Sequence, residues 1–136
     1  MTKHLRAALA LLALPVLATA ASAQSGLVGK AEELPDITLS AEGPLAEKPL
    51  MLKAGVYYEI KVVSDGSAEK AISAPAFFRN CWVDEIVINE IEIRPIGVDS
   101  IEFDDEGEAE ISFICIKPGK FEMTAPGTPP LEIIVE

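Results

Sequence analysis

The alternation of side chains along residues 56–64 constrains the fold more than any other feature of this sequence. Four successive residues on one face of this segment are apolar or aromatic, whereas the opposite face carries two charged side chains. The apolar residues are Val56, Tyr58, Ile60 and Val62, and the charged residues are Glu59 and Lys61. A period of two is that of a β-strand with one face in a core. Similar short segments follow turn signals roughly every eight to twelve residues, which predicts an all-β sandwich or barrel.

The sequence predicts about eight strands and no helix. The predicted strand segments are 37–40, 56–64, 70–74, 84–94, 100–104, 108–116, 121–125 and 131–135, and residues 50–53 lead into a turn at Ala54-Gly55. Within 84–94 the apolar positions change from even to odd numbers, which predicts a bulge or break near Asn89 and Glu90. The Asp105-Glu106-Gly107 sequence predicts a hairpin turn between two of these strands.

The first 23 residues resemble a secretory signal peptide in all three of its parts. A short basic region is followed by an apolar run at 7–18, and small residues precede Gln24. The apolar run of about a dozen residues is shorter than the roughly 20 that span a bilayer. We therefore expect cleavage before Gln24, a flexible leader at 24–35 and one domain at 36–136. The mature chain is predicted to be periplasmic or secreted, without stable membrane insertion.

The charge of the chain excludes two classes of partner. The sequence has 11 basic and 22 acidic side chains. Loss of Lys3 and Arg6 with the signal peptide leaves 9 basic against 22 acidic side chains, a net charge of −13. Nucleic acids and anionic membranes need basic surfaces. We therefore expect neither as a partner.

Three segments resemble the cupredoxins, the blue-copper protein family. Residues 113–123, with the sequence FICIKPGKFEM, resemble the copper loop between the last two strands of that family. Residues 72–78 (ISAPAFF) resemble the segment after its first copper-binding histidine, and residues 52–58 (LKAGVYY) resemble its early hairpin. The resemblance implies a cupredoxin-like Greek-key β-sandwich.

The copper chemistry of that family is not expected here. A blue-copper site needs two imidazoles, a thiolate and a weak axial thioether. The only histidine is His4, within the predicted signal peptide, and Lys120 stands where the family's loop histidine follows Pro-Gly. Only Cys115 and Met123 match the ligand pattern. The sequence therefore predicts a cupredoxin-like chain without a type 1 copper site and without a cofactor.

Two interpretations of the cysteines remain open. In a cupredoxin-like fold the segment around Cys81 lies near the strand that ends at Cys115, and an oxidising compartment favours a disulfide between them. Trp82 would then suit the core beside the bridge, and Met123 would be a core residue. Alternatively, Cys81, Cys115 and Met123 remain free as soft ligands suited to Cu(I).

No other residue pattern predicts catalysis or a metal site. The mature chain lacks the histidine that a Ser–His or Cys–His pair requires, and it has no Gly-rich phosphate loop. A set of carboxylates suggests calcium but fits a solvated strand face better: Asp104, Asp105, Glu106, Glu108 and Glu110. At least one of Phe77 and Phe78 is expected in the core, and the other could contact a partner.

The sequence thus favours a non-catalytic binding or accessory module, not an enzyme, that docks to an unidentified protein of the cell envelope. The alternative function is that of a Cu(I)-binding protein using Cys115, Met123 and Cys81. The two differ in the state of the thiols. A disulfide favours the accessory module, whereas two free thiols favour the metal binder.

Overall fold

A computed structural model describes residues 29–136 of the protein. The predicted signal peptide at 1–23 and the first part of the predicted leader lie outside this range. None of the helices in the described part has the length and apolar character needed to cross a bilayer.

Eleven strands and one short helix make up the described residues. In chain order they are β1 (Glu32–Glu33), β2 (Ile37–Leu39), β3 (Leu50–Leu52), β4 (Tyr57–Ser64), β5 (Lys70–Ser73), α1 (Pro75–Asn80), β6 (Cys81–Ile88), β7 (Ile91–Ile93), β8 (Ser100–Phe103), β9 (Gly107–Cys115), β10 (Gly119–Met123) and β11 (Leu131–Val135). The prediction of an all-β protein is confirmed. The predicted absence of a helix is wrong.

The first layer of the sandwich is a sheet with strand order β1-β4-β9-β6-β7, in which β2 also pairs with β4. The predicted alternation of β4 is confirmed, because Tyr58, Ile60 and Val62 are buried. These residues lie opposite Phe113, Ile111 and Ala109 of β9 in an antiparallel register. Since opposite residues of a ladder share one face, the two central strands present a continuous apolar surface to the second layer.

The second layer consists of two groups of strands, β10-β11-β3 and β5-β8. A backbone bridge joins them, because Ser73 and Thr124 exchange two hydrogen bonds of 2.8 and 2.9 Å. The resulting order is β8-β5-β10-β11-β3. Chain neighbours such as β4 and β5, or β9 and β10, lie in different layers, so the connections cross the sandwich as the Greek-key prediction requires.

Part of the predicted leader is paired with the first layer. Glu32 and Glu33 of β1 lie parallel to Tyr58 and Glu59 of β4. The Leu34 N–H donates to the Glu59 carbonyl over 2.9 Å. Residues 32–34 therefore extend the sheet instead of standing apart from it.

Helix α1 carries the chain from β5 in the second layer to β6 in the first. It begins at Pro75, whose fixed φ suits the first helical turn. Phe77 packs between the layers, with its ring 5.3 Å from Phe113 and 5.9 Å from Phe121 in edge-on contacts. A helix of six residues is too short to show a helical period. This is why the sequence pattern did not predict it.

The predicted break near Asn89 and Glu90 is a tight turn between β6 and β7. Both residues have positive φ, 48° and 64° respectively. Two central residues with positive φ are the mark of the type I′ turn, which suits the twist of a hairpin. Asparagine tolerates this conformation well, whereas a glutamate in it is sterically unfavourable.

We expect Glu90→Gly to raise the free energy of unfolding by roughly 0.5–1 kcal/mol, because glycine adopts positive φ without a steric cost. Urea denaturation measures the change. Glu92→Gly is the matched control, since Glu92 lies within β7 and is not among the positive-φ residues. There the same substitution should be destabilising, and an equal effect at both positions would contradict the assigned turn.

Candidate functional site

The predicted disulfide between Cys81 and Cys115 is present. Cys81 begins β6 and Cys115 ends β9, and the two residues lie directly opposite each other. The Ile116 N–H donates to the Asn80 carbonyl over 2.8 Å, just outside the pair. The two cysteines therefore occupy a non-hydrogen-bonded position, where opposite side chains approach most closely. Their Cα atoms are 3.8 Å apart.

The residues at the family's ligand positions do not fit a type 1 copper ion. Cys115 is fully buried, and its sulfur is bonded to Cys81, so it offers no thiolate. Lys120 lies exposed in β10, and a charged ammonium has no lone pair for a metal. Met123 is buried in the second layer, as the core interpretation predicted. The Cu(I) alternative also loses two of its three sulfur ligands in this oxidised form.

The suggested partner contact at Phe77 or Phe78 is wrong. Both side chains are buried, with exposed fractions of 2% and 4%. Their rings lie 5.5 Å apart and close the end of the core beneath α1. Both rings pack in the core, and Phe78 also lines the cleft beside Trp82.

Asn80 fixes the loop that follows β9. Its side chain is buried at the end of α1, and its Nδ2 donates to the Lys117 carbonyl over 2.8 Å. This bond, together with the backbone bond from Ile116 to Asn80, holds residues 116–117 against the helix. These two hydrogen bonds therefore fix the position of the loop that resembles a copper loop.

A surface of five apolar or aromatic residues lies beside the disulfide. We call it the tryptophan face, and it comprises Tyr57, Trp82, Ile96, Ile114 and Ile116. The expectation that Trp82 belongs to the core is wrong, because 43% of its surface is exposed. Trp82 follows Cys81 in β6 and so points to the opposite side of the sheet. The sequence carried a signal for this placement. If the predicted disulfide turns Cys81 toward the core, the next residue of the strand, Trp82, faces the opposite side of the sheet.

Polar contacts border the tryptophan face on one side. The Tyr57 hydroxyl donates to Asp84 over 2.9 Å, and Arg94 donates to both Asp84 and Glu85 over 2.7 and 3.0 Å. Asp84 sits at a register shift between Val83 and Glu85, which places an extra residue on this strand. Burial raises the pKa of Tyr57 above its usual value, and the adjacent carboxylates of Asp84 and Glu85 act in the same direction.

A second group of acidic residues lies at the other end of the molecule and includes the carboxylates considered for calcium. Glu108 and Glu110 pair with Lys61 across the sheet, at 3.6 and 3.1 Å. The carboxylates of Glu69, Glu102 and Asp104 approach within 4.8 Å of one another, and all three are exposed. These side chains lie on a solvated surface, as the strand pattern indicated.

We expect reduction of the disulfide to lower the free energy of unfolding by roughly 3 to 4 kcal/mol, because the bond joins residues 34 positions apart and restricts the unfolded chain. Urea denaturation with and without a dithiol reductant measures this change. A Cys81→Ala/Cys115→Ala variant is the control, and its midpoint should not respond to the reductant. Equal midpoints for oxidised and reduced native protein would show that the bond contributes nothing.

Tyr57 should titrate above pH 10, the ordinary range of a tyrosine. The pKa of Tyr57 is higher in the folded protein than in the unfolded chain. The stability that Tyr57 contributes is therefore fully present below pH 10 and is lost as the pH rises through the pKa of the folded protein. Phenolate absorbance measures this titration, with Tyr57→Phe identifying the signal. Asp84→Asn should lower the pKa of Tyr57, whereas Glu108→Gln, at the other end of the molecule, should leave that pKa unchanged.

Comparison with known proteins places the fold. No family model matches the chain, and no curated protein sequence matches it. Among solved structures, a multicopper oxidase of Pseudomonas thermotolerans superposes with a TM-score of 0.57 at 16% identity, covering 78% of this chain and 30% of that one. A multicopper oxidase of Campylobacter jejuni, described as a metallo-oxidase, gives 0.52 at 10% identity, covering 79% and 30%.

A third structure, Lac15 from a marine microbial metagenome, gives a TM-score of 0.50 at 13% identity, covering 78% of this chain and 28% of that one. The chain thus spans about 30% of the length of the structures it matches. At these identities the likeness concerns the fold alone. Together with the two-layer topology it confirms the architecture implied by the sequence resemblance: the domain is a cupredoxin-like β-sandwich.

Proposed function

We propose that this chain is an exported, non-catalytic accessory domain that binds another protein of the cell envelope through a cupredoxin-like fold lacking type 1 copper. One observation carries the proposal. Cys115, at the position of the family's copper thiolate, is bonded to Cys81, and Lys120 stands at the position of the loop histidine. A sulfur–sulfur bond in place of a metal–sulfur bond makes this end of the sandwich a structural element.

The disulfide and the N-terminal sequence support export. Disulfides persist in the periplasm and outside the cell, whereas cytoplasmic thiols are kept reduced. Both cysteines of the chain are used in this one bond. The signal-peptide pattern in the first 23 residues independently favours the same compartments. We therefore assign the mature domain to the periplasm or the exterior.

Two of the three displaced pKa values in residues 29–136 have local surface causes that fit a non-catalytic role. A hydrogen bond to Glu110 raises the pKa of Lys61, and hydrogen bonds from Ser67 lower the pKa of Asp65. Both residues lie on strand or turn surfaces with these partners beside them. Catalytic groups typically combine a displaced pKa with a cleft and a second reactive group. Lys61 and Asp65 show an ordinary surface ion pair and a turn hydrogen bond instead.

The structural neighbours are oxidases by name, and this chain spans about a third of their length. Without histidine in residues 24–136, the domain has no imidazole ligands with which to perform copper oxidation. We propose that it retains the sandwich as a binding scaffold. Non-catalytic binding needs only a stable surface, which the disulfide and the core provide.

Copper titration of the mature protein tests the proposal. The oxidised protein should show no intense thiolate-to-copper absorption with Cu(II), and its Cu(I) affinity should equal that of a Cys81→Ser/Cys115→Ser variant. A competing Cu(I) chelator measures this affinity, with the reduced native protein titrated in parallel. An intense visible band, or tight Cu(I) binding that depends on Cys115, would overturn the proposal and favour a copper-binding protein.

A further inference from the structure

We propose that two copies of this domain associate through the outer edge of β7, in an antiparallel register centred on Ile93. The proposal goes beyond the accessory function and does not depend on it, since it concerns how the domain pairs with itself. Three properties of the edge support it: outward-facing backbone groups, exposed apolar side chains and a charge pattern that is complementary to itself.

The outer edge of β7 is open to solvent. β7 is the last strand of the first layer, and among residues 29–136 no strand lies on its other side. All residues from Asn89 to Arg94 are exposed. An unpaired strand edge presents N–H and C=O groups that form a template for a further strand. The edge is therefore accessible to a second chain along its whole length.

The tight turn before β7 determines which backbone groups point outward. In a hairpin with a two-residue turn, the flanking residues Ile88 and Ile91 exchange hydrogen bonds, and the ladder alternates from there. Ile93 is the next residue bonded to β6. Glu92 lies between the two bonded positions, so its N–H and C=O point away from β6 toward the open edge.

Arg94 adds a second pair of outward-facing groups. It precedes Pro95, and the residue before a proline favours an extended backbone. Its N–H and C=O therefore follow the same alternation as those of Glu92. Outside the ladder, neither residue makes a backbone–backbone hydrogen bond in the described part of the chain. The edge thus offers two donors and two acceptors in the spacing of a strand.

One antiparallel register of two such edges brings opposite charges together. A register centred on Ile93 sets Glu92 opposite Arg94 of the second copy, twice by symmetry, and each of these pairs exchanges two backbone hydrogen bonds. The neighbouring registers that also align the outward groups are centred on Glu92 or on Arg94. They set like charges directly opposite each other, which destabilises a cross-strand pair. The charges therefore select the register centred on Ile93.

The same register pairs the exposed apolar side chains of β7. Ile91 and Ile93 lie opposite isoleucines of β6 and share their face of the sheet, yet they are 64% and 44% exposed. In the proposed pairing Ile93 lies opposite its own copy at a non-hydrogen-bonded position, where side chains approach most closely. Ile91 lies opposite Pro95 of the second copy. Pairing therefore removes apolar surface from water at each of these positions.

The acidic net charge of the chain opposes self-association, and the contact pairs act against this repulsion. At physiological ionic strength, exposed charges further apart than about 8 Å are largely screened, whereas directly opposite side chains remain within this distance. The side chains of Arg94 and Glu92 are 60% and 63% exposed and so are available to a second copy. Asp84 and Glu85 of the same copy hold the guanidinium of Arg94 beside the edge.

A ladder of this length buries little area, which limits the affinity. Small interfaces belong to weak and transient complexes. We therefore expect a dissociation constant of roughly 100 µM, so that the domain is mainly monomeric when dilute and dimeric when concentrated.

Sedimentation equilibrium of the oxidised mature chain at about 0.15 M salt tests the proposal. We expect the average molar mass to rise toward twice the monomer value between roughly 10 µM and 1 mM. Ile93→Asp should weaken association by about tenfold or more, because it buries a carboxylate against its own copy. Met51→Asp is the matched control, since Met51 is 55% exposed on β3 at the edge of the second layer, and it should leave association unchanged.

Charge reversal then tests the register. Glu92→Arg and Arg94→Glu should each weaken self-association by about tenfold or more, because each sets like charges opposite each other. Mixed in equal amounts, the two variants should associate with roughly native affinity, since every arginine of one then faces a glutamate of the other. Restored association also shows that both variants are folded. Glu132→Arg, at an exposed position of β11, is the control and should have no effect.

Each outcome decides for or against the proposal. Association that Ile93→Asp and the single charge reversals weaken, and that the mixture restores, supports it. A monomer at every concentration overturns it, and so does association that Met51→Asp weakens but Ile93→Asp does not. Unchanged association of the single charge reversals, or a mixture of variants with native circular dichroism that stays monomeric, overturns the register. The copper titration tests the accessory function separately.

Discussion

The pairing of β9 with both of its neighbours is the interaction on which the rest of the structure depends. This strand lies at the centre of the first layer, with β4 on one side and β6 on the other. Its inward side chains, Ala109, Ile111, Phe113 and Cys115, are all fully buried. The second layer, α1 and the aromatic contacts pack against this surface. Its outward side chains define the other face of the sheet, including the part of the tryptophan face contributed by Ile114.

Two covalent or hydrogen-bonded links hold the end of β9 and the loop that follows it. Here the Cys81–Cys115 bond joins β9 to β6, and Asn80 holds the following loop through the Lys117 carbonyl. The bond also fixes which side of β6 faces inward. Because Cys81 is turned toward the core, Trp82 is turned toward solvent.

The sequence predicted the disulfide and most of the strands because their determinants are local or few, but it missed β1 and the first residues of β6. The period of two in β4 shows which of its side chains face inward. The presence of only two cysteines allows only one disulfide within the chain. The sequence did not reveal α1, since six residues show no helical period, nor the burial of both Phe77 and Phe78 within it. The exposure of Trp82 was also missed. Composition favours a buried tryptophan, whereas the register between distant strands determines the face on which it lies.

The position of the disulfide has a consequence for the order in which the chain folds. Cys81 and Cys115 form the first register position of the β6–β9 ladder, and the remaining pairs of that ladder follow from it. Once oxidised, an unfolded chain already holds the ends of these strands together, which removes most of the entropy cost of closing the loop between them. A contact distant in sequence thus becomes effectively local. Since domains with local contacts reach their native topology faster, the oxidised chain spends less time with its apolar strands exposed.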